Sequence, residues 1–232
     1  MAWSRVQPVV RVNVTSGATV NVTVAATTVG NLGILLLNEN GSRTITGVSG
    51  GGTWAQDANG TDTTICCTAL STIFTSSVTT ITITPSSSGV LQGWFLEYSG
   101  NKASSPFDQA GSTLGNGIGT TFASNGASGA LAQVGDLAVG LVEDNTGSST
   151  LSVTASEWTQ VETFLSADGD QMTLGVIEGV TSTTLQTFSG TCSGSHRCTA
   201  IMAAYSPGGA AAAFVPATMR TVQQAVNRAS TY

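Results

Sequence analysis

The sequence predicts an all-β fold: a pseudo-symmetric, jelly-roll-like β-sandwich made from two copies of one segment. Three observations predict it. Several short segments alternate apolar residues with Thr or Asn, as half-buried strands do. Clusters of Gly, Ser, Asn and Asp separate these segments and indicate turns. Three landmarks also recur in the same order at an offset of about 105 residues.

The strands are predicted from apolar periodicity. Residues 10–14, 20–24 and 79–84 alternate with period two, and their Val, Ile and Thr side chains are β-branched, which suits a pleated surface. Residues 32–37 and 137–142 are more continuously apolar. That pattern is typical of central strands buried on both faces.

Turn signals fall at matching places in the two halves. Asn59-Gly60 and Asp168-Gly169 favour tight hairpin turns. Residues 85–89 and 190–194 precede the last predicted strand of each half, and we expect turns there as well.

The recurring landmarks indicate an internal duplication. They are residues 30–36 (GNLGILL) and 135–141 (GDLAVGL), Trp54 and Trp158, and Tyr98 and Tyr205, at offsets of 105, 104 and 107. We therefore expect one duplicated sandwich over residues 1–208. Half one would span about 10–100, half two about 120–208, and a connection about 101–129.

The composition changes after the last predicted strand. Residues 209–232 are expected to form a linker and an extended C-terminal docking arm. Met219, Val222 and Val226 share one helical face and predict a short helix. The candidate docking residues are Phe214, Met219, Arg220, Val222, Val226 and Arg228.

Charge and composition exclude some partners. Only 9% of residues are Asp, Glu, Lys or Arg, and the net charge is −6. Nucleic-acid binding and a polybasic membrane contact both need clustered cations, so we expect neither partner. The first eight residues lack the features of a secretory signal, yet the Ser/Thr/Gly-rich composition is typical of a protein that works outside cells. A virion component assembled in the host cytoplasm fits both observations.

The chemistry-bearing residues predict no catalytic centre. His196 is the one histidine and it lies in a predicted loop, so we expect an exposed turn residue. Cys192 and Cys198 flank that loop and either pair as a disulfide across a hairpin or stay as small buried thiols. Cys192-x3-His196-x-Cys198 could supply three zinc ligands, but its spacing differs from the usual knuckles. We predict no metal and no cofactor.

Carboxylates raise the question of a glycosidase or a calcium site. The strand-borne candidates are Glu97, Glu143, Asp144, Glu157, Glu162 and Glu178, and we expect solvated faces or strand ends for them. The possible calcium ligands are Asp57, Asn59 and Asp62 in one loop and Asp168 and Asp170 in its counterpart. Turn chemistry already explains these loop residues.

Exposed aromatic residues would be needed for sugar binding. The candidates are Trp3, Trp54, Trp94 and Trp158. Because Trp54 and Trp158 occupy equivalent repeat positions, we favour a shared packing role for them.

The order of these motifs resembles β-sandwich repeats in tailed-phage structural proteins and in some bacterial surface proteins. It consists of Gly-Asn/Asp-Leu before an apolar strand, a Trp after a turn, and a closing strand that ends in residues 97–100 (EYSG) or 204–207 (AYSP). The resemblance covers roughly residues 10–208. It implies a structural or adhesive role and carries over no catalytic residue.

These inferences together predict a non-enzymatic virion structural protein, a capsid decoration or minor capsid protein. Its partners would be the major capsid protein or another virion protein, and we expect a homo-oligomer. The alternative is a phage tail or fibre component, or a surface carbohydrate-binding module. An enzyme ranks third.

Overall fold

The structure is a computed structural model that describes residues 2–15, 17–41, 43–61, 64–112, 118–124, 129–145, 149–166, 168–184 and 186–209. The described residues form strands and no helix, which confirms the all-β prediction. The strands are β1 (Ser4–Arg5), β2 (Val10–Val14), β3 (Val20–Thr23), β4 (Leu32–Asn40), β5 (Ile45–Ser49), β6 (Ala55–Thr61), β7 (Ile65–Ile73), β8 (Thr80–Pro85), β9 (Leu91–Ser99), β10 (Phe107–Ser112), β11 (Ile118–Ala123), β12 (Leu137–Asp144), β13 (Leu151–Val153), β14 (Thr159–Leu165), β15 (Gln171–Glu178) and β16 (Ser189–Tyr205).

The strands form three antiparallel sheets. The first large sheet has the order β1-β9-β4-β7-β6, with β2 also paired to β9. The second large sheet has the order β10-β16-β12-β15-β14. A small sheet has the order β3-β8-β5. The ribbon formed by β11, β13 and the first part of β16 extends from the second large sheet.

The central strands are buried on both faces, as their continuous apolar sequence predicts. In β4, Leu32, Ile34 and Leu36 point into a core between the two large sheets, whereas Leu35 and Leu37 point to the opposite face. This division follows from the period of two in a strand. β12 divides its side chains in the same way.

Three apolar cores hold the layers together. The central core lies between the two large sheets and includes Trp94 and Phe164, whose rings meet edge to face at 5.1 Å. The small sheet covers the outer face of the first large sheet. The ribbon contributes Phe122 and Leu151 to a core on the outer face of the second large sheet. The result is a sandwich-like stack of four layers.

Polar contacts also join the two large sheets. Tyr98 donates its hydroxyl proton to Glu178 at 2.9 Å, and Tyr205 donates to Asp57 at 2.8 Å. Burial raises the pKa of both tyrosines, so both hydroxyls stay protonated and remain donors. These partly buried hydrogen bonds join one large sheet to the other.

The turn predictions have mixed outcomes. A turn at Asp168-Gly169 is confirmed, since β14 ends at Leu165, β15 begins at Gln171, and Gly169 has φ of +99°. It is not the tight two-residue turn that we expected, because Leu165 pairs with Gln171 across residues 166–170 and Asp168 has no positive φ. The prediction for Asn59-Gly60 is wrong, because both residues lie in β6 and pair with Thr68 and Cys67 of β7. β7 is a nine-residue, largely buried strand, and it offers β6 a pairing partner beyond the point where the dipeptide would turn.

Candidate functional site

The candidate site lies in the last strand, where pairing becomes irregular. β16 pairs with β12 through its C-terminal part and with β13 through its N-terminal part. Along β11 the register jumps from Gly119↔His196 to Thr121↔Thr191. Residues 192–195 therefore form a large bulge opposite one residue of β11.

This arrangement corrects two sequence predictions. Residues 190–194 do not form a turn before the last strand but lie inside β16, where β11 and β13 supply backbone partners. Gly190 allows β16 and β13 to approach each other closely, because a Cβ there would lie 2.1 Å from the Ser152 carbonyl oxygen. His196 likewise is not an exposed turn residue, since it lies in the strand and its side chain is only 19% exposed.

The bulge brings two cysteines together beside a buried carboxylate. The Sγ atoms of Cys192 and Cys198 are 2.6 Å apart, and both residues are buried. Asp144 ends β12 and pairs directly with Cys198. One carboxylate oxygen of Asp144 and the two sulfurs all lie within 4.8 Å of one another.

Asp144 also binds the imidazole. Its Oδ2 atom accepts hydrogen bonds from Ser149 Oγ and from His196 Nδ1, the latter at 3.0 Å. The ring lies over Gly194, because a Cβ at that glycine would be 2.5 Å from His196 Nε2. The bulge, the carboxylate and the imidazole therefore form one packed unit.

The environment opposes ionisation of the thiols. Burial raises the pKa of Cys192 and raises that of Cys198 further, and the charge of Asp144 adds to both effects. A nucleophilic cysteine needs the opposite, a lowered pKa that yields a thiolate at neutral pH. The environment therefore does not favour a free thiolate, and it is the closeness of the sulfurs and of Asp144 that makes thiol pairing or metal ligation possible.

The metal option has a defined ligand set. Within the part of the chain that the structure describes, Asp144, Cys192 and Cys198 form the one group of three His, Cys, Asp or Glu side chains close enough to share an ion. His196 is the adjacent nitrogen donor. Carboxylate, thiolate and imidazole are all zinc ligands in proteins.

Glu97 is a structural residue and not a solvated one, which corrects the expectation for this carboxylate. It is fully buried in β9 and accepts hydrogen bonds from Gln7 Nε2, the Thr28 backbone N–H and Asn31 Nδ2. It therefore holds two loop segments against the first large sheet.

The other candidate carboxylates lie at strand ends or in contacts between strands. Glu162 accepts from Arg11 and Trp94, while Glu178 accepts from Tyr98. Glu157 is exposed and accepts from Thr181. Glu143 is fully buried at the end of β12, and burial together with the nearby charge of Asp170 raises its pKa.

The calcium-ligand candidates are engaged in packing. Asp57 accepts from Tyr205, and Asn59 lies in β6. Asp168 accepts from Asn40, Gln92 and Ser166. Burial opposes ionisation of Asp168, but these hydrogen bonds outweigh it and hold its pKa below the usual value. Asp62 lies outside the described residues.

The tryptophans are packed residues. Trp3, Trp94 and Trp158 are buried and Trp54 is half-buried. Each indole N–H donates a hydrogen bond within the protein. Trp3 donates to the Gly135 carbonyl and Trp54 to the Gly50 carbonyl. Trp94 donates to Glu162 and Trp158 to the Thr187 carbonyl. Trp54 and Trp158 each pack against a phenylalanine, Phe74 and Phe188 respectively. Their contacts are those of packing residues.

One pH effect follows from a buried carboxylate of the first large sheet. Burial raises the pKa of Glu39 from 4.5 to about 7, although Arg43 opposes the shift. The folded state therefore holds the Glu39 proton more tightly than the unfolded state does, and the protonated carboxyl group stabilises the fold. This stabilisation is complete below pH 4.5 and is lost as pH rises to about 7. We expect Glu39 alone to lower the free energy of unfolding by on the order of 2 kcal/mol over this range, in addition to the effects of other buried carboxylates such as Asp136 and Asp170.

Urea denaturation at pH 4.5 and pH 8 measures this effect. Glu39→Gln should leave stability unchanged at the lower pH and raise it at the higher pH, because the neutral amide removes the buried charge. An equal pH dependence in both proteins would contradict the assignment to Glu39.

Asp144 is the site residue whose role sequence reasoning missed. Its signal was present, since the charged pair Glu143-Asp144 ends an otherwise apolar strand.

The candidate docking residues Phe214, Met219, Arg220, Val222, Val226 and Arg228 all lie outside the described residues. The described residues contain no helix that is long and apolar enough to cross a membrane. No protein-family model, curated protein or solved structure matches the chain.

Proposed function

We propose that this chain is a duplicated β-sandwich and a structural protein of a virus particle, a capsid decoration or minor capsid protein. The structural role rests on one observation: the side chains that could carry out chemistry make contacts inside the fold instead. The buried carboxylates and the indole groups join strands, loops and sheets to one another, as described above for Glu97, Asp57 and the tryptophans. A scaffold is the function that such an arrangement serves.

Equivalent strand orders support the duplication. The order β9-β4-β7-β6 in the first large sheet corresponds to β16-β12-β15-β14 in the second. The registers correspond as well, because Leu32 pairs with Tyr98 and Leu137 pairs with Tyr205. Tyr98 and Tyr205 also each donate to a carboxylate of the opposite large sheet, although the two acceptors occupy different repeat positions, Glu178 in β15 and Asp57 in β6.

Equivalent irregularities support the duplication more strongly, since irregularities are seldom shared by chance. The pairing of β6 with β7 has a bulge between Gln56 and Ala58, and that of β14 with β15 has one between Gln160 and Glu162. These positions lie at the offset of Trp54 and Trp158. Gly30 and Gly135 also have nearly equal φ, +90° and +91°, and each donates its N–H to the backbone just beyond the neighbouring strand.

The outer face of the small sheet supports an assembly role. It presents Asn21, Thr23, Thr80 and Thr84 to solvent and half-buries Thr82, which donates to Asn21 at 2.8 Å. Short, β-branched side chains have little rotamer freedom to lose when they are covered. A surface of this kind can pack against another subunit at low entropic cost.

In this proposal the protein assembles in the host cytoplasm on the major capsid protein or another virion protein, and forms homo-oligomers. The C-terminal arm makes the docking contact through Phe214, Met219, Arg220, Val222, Val226 and Arg228. Two of these residues are the arm's only cations, and they complement a chain whose net charge is −6.

Deleting residues 214–232 tests the docking role. We expect the truncated protein to fold but to band with purified particles in a density gradient at least tenfold less than the full chain, because the apolar and cationic contacts are lost. Deleting only residues 229–232 is the matched control and should leave incorporation unchanged. Normal incorporation of the 214–232 deletion would exclude the arm as the anchor.

Antibody labelling of the same particles tests location. Gold-labelled antibody on the head supports a capsid role, and label on the tail instead supports the tail or fibre alternative. Full-length protein that never bands with particles would overturn the virion proposal.

A further inference from the structure

The distance between the two cysteine sulfurs of the bulge bears on whether they form a disulfide, remain free thiols or share a metal ion. Their Sγ atoms lie 2.6 Å apart. Two non-bonded heavy atoms rest at roughly 3.5–4.0 Å, whereas bonded sulfurs lie about 2.05 Å apart. Both residues are free thiols in the structure, but their contact is nearer to the bonded separation. We propose that Cys192 and Cys198 form an intramolecular disulfide that closes the bulge of β16.

A shared zinc ion fits the geometry less well. Two thiolates bound tetrahedrally at about 2.3 Å from zinc lie roughly 3.7 Å apart, so the two sulfurs would have to separate by more than about 1 Å. The carboxylate that would complete the site is also occupied, because Asp144 Oδ2 accepts from Ser149 and His196. The backbone pairs Cys198 with Asp144 and Cys192 with Leu151, which holds the sulfurs together.

The charge of the surroundings disfavours a thiolate and is compatible with a disulfide. Asp144 is fully buried beside both sulfurs, and a thiolate there would add a second negative charge. A disulfide carries no charge and has no proton to share. It therefore removes the unfavourable ionisation without adding a counterion.

The other two cysteines provide an internal comparison. Cys66 and Cys67 are adjacent in β7, so their side chains point to opposite faces, and Cys67 belongs to the central core. They are as buried as Cys192 and Cys198. They lack a mutual sulfur contact and should remain thiols under the same oxidation.

The reaction uses an external low-molecular-weight disulfide, such as oxidised glutathione, as oxidant. The Cys192 thiolate attacks one sulfur of that disulfide, forms a mixed disulfide and releases one thiolate. The Cys198 thiolate then attacks Cys192 Sγ, forms the Cys192–Cys198 bond and releases the second thiolate. The two cysteine protons pass through solvent to the two released thiolates, so the oxidant is reduced to two thiols. Burial of both sulfurs makes the reaction slow unless the bulge opens.

Trypsin offers a direct test, because Arg197 lies between the two cysteines. Full-length protein is reduced and unfolded in urea, refolded by dilution into oxidised glutathione at pH 8 so that burial does not block the exchange, alkylated in denaturant and digested. We expect residues 103–197 and 198–220 to be recovered as one disulfide-linked species that separates on reduction. Cys66 and Cys67 should be recovered alkylated. A Cys66→Ser/Cys67→Ser variant should retain the link, and Cys192→Ser should lose it.

Thermal unfolding of the unmodified chain gives a second readout that needs no variant. The oxidised protein should melt roughly 5 °C above the reduced protein, since a closed loop restricts the unfolded chain. Full alkylation of Cys192 and Cys198 after oxidation would overturn the proposal, as would glutathione adducts without a link. One equivalent of bound zinc that is lost in Cys192→Ser would overturn it in favour of a metal site. None of these outcomes depends on whether the protein belongs to a virus particle.

Discussion

Gly93→Ala should lower the free energy of unfolding by at least about 4 kcal/mol. Gly93 lies in β9, which is paired on both sides, and its φ of +141° falls in a region that L residues avoid. A Cβ there would lie 1.9 Å from the Leu36 carbonyl oxygen and 2.9 Å from its carbon. Backbone atoms of a central strand cannot move aside without breaking the ladder. Urea denaturation followed by circular dichroism measures the loss.

Gly47→Ala is the matched control. Gly47 lies in β5 at the edge of the small sheet, and a Cβ there would meet nothing within 4 Å. Its substitution should change stability by no more than about 0.5 kcal/mol. If Gly93→Ala were as mild as Gly47→Ala, the close approach of β9 to β4 would be wrong.

Glu97→Ala should have the second largest effect, a loss of about 3 kcal/mol. The substitution leaves three buried or half-buried donors without their acceptor: Gln7 Nε2, the Thr28 N–H and Asn31 Nδ2. Each unsatisfied buried donor costs about 1–3 kcal/mol, and water entering the space left by the side chain offsets part of the sum. Amide hydrogen exchange at Thr28 should accelerate as well, because its N–H loses its partner.

Glu157→Ala tests whether loss of any carboxylate has this effect. Glu157 is exposed and accepts one hydrogen bond, from Thr181. Its removal should cost less than about 1 kcal/mol. Equal losses in Glu97→Ala and Glu157→Ala would show that Glu97 does not hold the loops.

The sequence patterns predicted the strands that are apolar by themselves. β4 and β12 could be placed because a continuous apolar run carries its own signal for burial on both faces. The Asn59-Gly60 turn failed for the converse reason, because a two-residue signal was overridden by long-range pairing with β7. The packing role of Trp158 could be inferred because Trp54 follows a similar motif 104 residues earlier in the sequence.

The site was less predictable because it depends on register. Asp144 and His196 are 52 residues apart, and they meet only because β12 pairs with β16 so that Asp144 lies opposite Cys198. Nothing in the local sequence around His196 fixes that register. The bulge that brings Cys192 to Cys198 also depends on β11, which lies largely within the predicted connection of about residues 101–129.

Cryo-electron microscopy of purified particles tests the proposed function most directly. We predict density for a four-layered β stack of residues 2–209 on the particle surface, with the two large sheets related by an approximate two-fold axis and residues 214–232 seated on a neighbouring subunit. Particles that carry no such density, while the full-length protein accumulates free in the same lysate, would contradict this account.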